Sequence, residues 1–140
     1  MRFWDASALV PLCLAQPASA TVRSLLPNDP ALIVWWASPM ECWSAFARLK
    51  REGVLTGTQE KAVLHRLELL RNAWAEVLPG EAVRSHAARL LRLHPLRAAD
   101  ALQLAAALVW AGTPHDGASF VTLDERLGQA AQLEGFEVLP

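Results

Sequence analysis

The chain has 140 residues, 53% apolar and 19% charged, which excludes intrinsic disorder and leaves residues 1–140 as one domain with a single sizeable core. Its longest uninterrupted apolar run, 104–111, falls far short of the roughly 20 residues that span a bilayer, so no membrane association is expected and the mean hydropathy of +0.20 points to apolar surface covered by another chain. With 13 basic side chains against 14 acidic ones there is no overall positive field, and any nucleic-acid contact must be local.

Asp5 interrupts the N-terminus before a signal region can form, and Cys13 and Cys42 supply neither a disulfide framework nor a metal motif. Both features fit a cytoplasmic protein.

Residues 2–4 are a short bulky run and read as a first strand. Residues 8–14 are apolar and helical, a second short helix follows between Pro17 and Pro27, and Asn28-Asp29-Pro30 reads as a turn. Residues 31–36 are rich in β-branched and aromatic side chains and predict a strand. Ser38, Pro39 and Glu41 then give an N-cap, a first-turn proline and a capping-box acid, with Gly53 placed to close the helix.

A long helix is predicted from about Thr58, its face formed by Val63, Leu67, Leu70, Trp74 and Val77. Another spans about 80–93, stopped by Pro95. The helix predicted over 96–111 is apolar nearly all round, with Arg97, Asp100 and Gln103 its only strongly polar residues, so it is buried. A loop over 112–117, a strand over 119–123, a helix over 125–133 and a strand over 136–139 complete the chain. Strands separated by helices imply an α/β fold with a parallel sheet covered on both faces.

In such a sheet all strands end at one edge, where ligands bind. Asp5 ends the first strand, Asp124 follows the strand that contains Phe120, and Glu41 opens the helix after the Trp35-Trp36 strand. Asp100, in the first turn of the buried helix, joins them if that helix points its N-terminus at the same rim. Two carboxylates about 5 Å apart repel by roughly 3 kcal/mol at an effective dielectric near 20. Four together must take up protons or hold a cation, and an all-oxygen donor set favours Mg²⁺ or Mn²⁺. The chemistry such a site suits is phosphodiester hydrolysis. Each acid also has a local reading: Glu41 as the partner of Ser38, Asp124 as an N-cap, Asp5 as a turn residue. Asp100, on an apolar helix, lacks an equally plain one.

Four segments, Asp5-Ala-Ser-Ala-Leu-Val10, Ser38-Pro-Met-Glu41, Leu96-Arg-Ala-Ala-Asp-Ala-Leu-Gln-Leu-Ala105 and Phe120-Val-Thr-Leu-Asp-Glu-Arg-Leu127, together resemble the PIN-domain ribonucleases, particularly VapC-type toxins of toxin–antitoxin pairs. The resemblance covers essentially the whole chain. It implies a three-layer α/β/α domain with a central, mostly parallel sheet, acting as a Mg²⁺- or Mn²⁺-dependent endoribonuclease on single-stranded regions of RNA. Asp5, Glu41, Asp100 and Asp124 match the family's acidic tetrad, as catalytic residues and metal ligands, and Ser7 and Thr122 match its supporting hydroxyl positions. A homodimer and a cognate antitoxin laid across hydrophobic grooves are implied as well. Trp4 and the Trp35-Trp36 pair are bulkier than the family pattern.

Basic charge is carried by eleven arginines and two lysines, and arginine suits bidentate phosphate contact. Arg97, three residues before Asp100, is a candidate RNA contact, and His86, Arg89 and Arg92 form a loose strip near it that could touch RNA backbone but reads more readily as a solvated helix face. The four histidines show no ligand pairing, the cysteines read as core residues and Asp116 as a turn. The six tryptophans read as core or interface, with base stacking the alternative. A catalytically silent PIN-like module binding RNA or protein is the rival reading. A haloacid-dehalogenase-like phosphatase is disfavoured because Ser7 stands where that family carries a second aspartate.

Overall fold

Phe3 and Trp4 are neighbours on the first strand, face opposite ways and are both fully buried, so each belongs to a different core. The computed structural model describes residues 1–113 and 115–140. Its strands are β1 (Arg2–Trp4), β2 (Leu32–Trp35), β3 (Trp74–Val77), β4 (Ser119–Val121) and β5 (Glu137–Leu139). Its α-helices are α1 (Ala6–Cys13), α2 (Ser19–Leu25), α3 (Ser38–Arg51), α4 (Gly57–Arg71), α5 (Glu81–Leu93), α6 (Ala98–Ala111) and α7 (Glu125–Leu133).

The strands form one sheet in the order β3-β2-β1-β4-β5, and every pairing is parallel rather than most of them. Ile33, Trp35 and Phe120 join Phe3 on the face covered by α5, α6 and α7. Leu32, Val34 and Val121 join Trp4 on the face covered by α1, α3 and α4. The result is a three-layer α/β/α arrangement, with β2 buried along its whole length as an inner strand covered on both faces should be. None of the described helices is long and apolar enough to cross a membrane.

The chain moves from β1 outward to β2 and β3, then returns to β4 on the other side of β1. The β1–β4 junction is therefore the switch point at which a cleft opens in a doubly wound sheet. The returning element is α6, whose Ala101, Leu104, Ala105, Ala106 and Ala107 are fully buried; small side chains let it lie close on the sheet.

Several predicted elements need correction. Trp74 and Val77 do not continue the helical face. α4 ends at Arg71, and residues 74–77 pair with β2 from Leu32 opposite Trp74 to Trp35 opposite Val77. Ser38 does not cap α3: it is the first helical residue after Ala37, with its hydroxyl turned inward, whereas the capping box in this part of the chain is Thr56 with Gln59. The turn predicted at Asn28-Asp29-Pro30 begins as a 3₁₀ turn over Leu26–Asn28, and Asp29 after it is buried, its carboxylate accepting the Trp4 indole N–H at 2.6 Å. Gly53 does close α3, at φ +76, with its N–H on the Lys50 carbonyl. The predicted loop over 112–117 includes residue 114, which lies outside the described residues.

Candidate active site

Asp5 leaves β1 as the N-cap of α1, and its backbone N–H bonds the Val121 carbonyl at the end of β4, pinning it at the switch point. Its Oδ2 accepts from the Ser7 N–H at 3.1 Å, the Ser7 hydroxyl and the Thr122 hydroxyl at 3.0 Å. Ser7 Oγ in turn accepts from the Leu123 N–H at 2.9 Å, and Thr122 Oγ1 from the Asp124 N–H at 3.1 Å. Two hydroxyls thus tie the ends of β1 and β4 to one carboxylate. Asp5 is 5% exposed; burial raises its pKa, and these donors offset only part of that.

Glu41, Asp100 and Asp124 line one open depression of about 1240 Å³. Glu41 sits in the first turn of α3, where with no capping role its carboxylate accepts instead from the Gln103 side-chain amide of α6. Its pKa is pushed up to about 7, chiefly by burial, and further by the charges of Asp5 and Asp100. Asp100, in the first turn of α6, is raised by burial and then by Asp124, while Arg97 and Arg126 pull it back. Asp124 keeps its local role too: its Oδ1 caps α7 on the Leu127 N–H at 2.8 Å. The four acids therefore form an electrostatic chain, Asp5 to Glu41 to Asp100 to Asp124. Four elements distant in sequence supply them.

The PIN domain family matches residues 2–133. The chain belongs to the PIN-domain family. Two relatives from strains of Mycobacterium tuberculosis, ribonuclease VapC45 and ribonuclease VapC49, are each 34% identical over 142 residues, covering 99% of this chain and 94% of theirs. Solved structures share the fold at lower identity. VapC20 of Mycobacterium tuberculosis, described as a sarcin–ricin loop cleaving toxin, is 17% identical with a TM-score of 0.70 over the whole of both chains. FitAcB from Neisseria gonorrhoeae is 18% identical with a TM-score of 0.69, covering 100% of this chain and 97% of that one. A toxin–antitoxin complex from Klebsiella pneumoniae is 15% identical with a TM-score of 0.68, over 98% and 96% of the two chains.

In this PIN domain the donor set at the rim is wholly oxygen. Among the described residues no three His, Cys, Asp or Glu side chains stand together as a metal cage; Gln103 engages Glu41, and the Leu127 amide engages Asp124. The acids nevertheless fit a hard divalent cation: burial and neighbouring carboxylates raise the pKa values of Glu41 and Asp100, and a bound cation would relieve the same repulsion. No histidine is among the described residues lining the depression, and His94 and His115 are committed to Glu134, the first to its carboxylate and the second to its carbonyl.

Three guanidinium groups of the PIN domain share the depression: Arg48 from α3, Arg97 before α6 and Arg126 from α7. Among the described residues none of them makes an ion pair, in contrast to Arg89, which is bidentate on Glu134 and so is not part of a free basic strip. Only Arg97 stood out in the sequence. Arg48 lies seven residues after Glu41, two helical turns along the same face, and Arg126 lies two after Asp124; those spacings were the available signals. Gln103 had one as well, a polar residue one turn beyond Asp100 on an otherwise apolar helix.

Proposed function

We propose that this chain is an endoribonuclease that cuts single-stranded regions of RNA, with Asp5, Glu41, Asp100 and Asp124 as its catalytic carboxylates and as the residues that hold Mg²⁺ or Mn²⁺. The observation that carries this reading is the electrostatic chain of four acids at the switch point, three of which (Glu41, Asp100 and Asp124) share one depression with three arginines that make no ion pair among the described residues. Family membership and the ribonuclease relatives at 34% identity support it. What the ion supplies when bound is neutralisation of phosphate charge and activation of water at neutral pH.

The protein's own groups do the remaining work. Arg97 and Arg126, close enough to Asp100 to lower its pKa, and Arg48 across the depression hold the phosphates on either side of the scissile bond. Ser7 and Thr122 hold Asp5 by their hydroxyls, so its free orientation is not lost when water is displaced. Glu41 is fixed from behind by Gln103.

The chain acts as a single domain in the cytoplasm, as the toxin of a toxin–antitoxin pair, dimeric and restrained by a cognate antitoxin. Exposed Met40, which lines the depression, and exposed Trp36 and Trp43 supply apolar surface for such a protein partner.

The direct test is cleavage of an unstructured RNA by Asp5→Asn and Asp100→Asn chains that keep the wild-type circular dichroism spectrum. Each substitution is expected to lower the rate by at least about a hundredfold, on the scale of losing a preorganised charge at a reacting phosphate. Wild-type rates from either variant remove the proposal.

A further inference from the structure

Gln103 is fully buried on the helix that also carries Asp100, among alanines and leucines packed against the sheet. A buried amide needs partners for its donors and its acceptor. Both of its partners lie on the first turn of α3: Nε2 donates to Glu41 Oε2 and to Ser38 Oγ at 3.1 Å, and the Ser38 hydroxyl lies 3.4 Å from Oε1. Ser38 is itself fully buried. Ser38 and Glu41 are three residues apart on α3, as Asp100 and Gln103 are on α6, so one turn of each helix presents a carboxylate to the depression and a neutral polar group to the other helix.

We infer that Gln103 is a positioning residue, holding the Glu41 carboxylate in the orientation in which it ligates the divalent cation, with Ser38 fixing the amide. The inference rests on the reading of the four acids as metal ligands. A neutral donor suits this place. An arginine or lysine there would cancel the charge that attracts the cation, and an apolar residue would leave the partly buried carboxylate free to turn away. The same contacts explain why Ser38 fails as an N-cap: its hydroxyl is already committed to Gln103.

The test is Mn²⁺ binding by calorimetry without RNA, beside RNA cleavage titrated with Mn²⁺ and thermal unfolding, in Gln103→Leu and Ser38→Ala. Gln103→Leu is expected to weaken Mn²⁺ binding roughly tenfold or more, as loss of an outer-shell partner does, and Ser38→Ala less in the same direction. The Mn²⁺ concentration for half-maximal cleavage rises by the same factors, while the KM for RNA at saturating metal stays at the wild-type value. Unchanged Mn²⁺ affinity in a folded Gln103→Leu chain overturns the inference and leaves the ribonuclease reading intact. If Gln103→Leu fails to fold, Ser38→Ala decides, with wild-type affinity again counting against. A wild-type chain that binds no Mn²⁺ overturns the metal-site reading itself, and this inference with it.

Discussion

Thr122 and Asp5, 117 residues apart in sequence, meet at the β1–β4 junction, where the Thr122 hydroxyl donates to Asp5 Oδ2 at 3.0 Å and accepts the Asp124 N–H at 3.1 Å. One side chain thereby sets the positions of two of the four acids. Thr122→Val keeps the shape and removes both bonds. It is expected to lower RNA cleavage by roughly tenfold or more and to destabilise the fold by about 1–3 kcal/mol, the cost of leaving a buried polar group without its partner. Thr122→Ser, which restores the hydroxyl, should recover most of the activity. Cleavage assays and urea denaturation on the pair check this, and equal losses in both variants would assign the effect to packing.

The raised carboxyls fix the sign of the pH dependence of the metal-free protein. Asp5, Glu41 and Asp100 all have folded pKa values above their ordinary ones, with Glu41 at about 7 against 4.5. Between those two values the folded chain holds protons that the unfolded chain has released. Stability therefore falls as pH rises through this window and stays lower above it. In chelator, Tm is expected to be lower at pH 8 than at pH 5.5 by a few degrees. Millimolar Mn²⁺ should close the gap, raising Tm more at pH 8, where the carboxylates are ionised. A larger Mn²⁺ effect at pH 5.5 would contradict the assignment.

Arg48 and Arg126 are predicted to contact RNA phosphates, and counterion release gives that prediction a number. Each phosphate contact to a single strand contributes about 0.7 to the slope of log affinity against log salt. Arg48→Ala with Arg126→Ala should lower the slope by about 1.4 and weaken binding most at low salt, measured by fluorescence anisotropy on the Asp100→Asn background. Arg84, paired with Glu81 on α5 and outside the depression, is the control, and Arg84→Ala should leave the slope unchanged.

Much of this architecture is written locally. α7 spans Glu125–Leu133 as its pattern predicts, and the buried α6 announces itself by apolar residues on every side. The acids at the strand ends were legible for a topological reason: parallel connectivity alone sends Asp5, Glu41 and Asp124 to one rim. β3 was not legible, because Trp74 and Val77 fall in step with Val63, Leu67 and Leu70 and continue a helical stripe by coincidence. Only pairing with β2 makes residues 74–77 a strand, and that is tertiary information. Ser38 failed similarly. Its sequence neighbours spell a capping box, yet the partner that claims its hydroxyl, Gln103, lies 65 residues away. Arg48 and Arg126 depend on how α3 and α7 are rotated about their axes, which one-dimensional spacing constrains only weakly.

Trp4 has a structural role that can be tested. Its indole N–H donates at 2.6 Å to Asp29 Oδ2, and the Asp29 side chain is wholly buried, with the Met1 amino group 3.5 Å from its other oxygen. The pair anchors β1, immediately before Asp5, to the segment leading into β2. Trp4→Phe keeps most of the apolar volume but leaves the Asp29 carboxylate without its shortest partner. It is expected to cost about 2–4 kcal/mol, combining lost packing with an unsatisfied buried acceptor. Adding Asp29→Asn to Trp4→Phe removes the stranded charge and should return part of that loss, so a double-mutant cycle by urea denaturation gives a coupling clearly different from zero. Strict additivity would show that the indole contributes by volume alone.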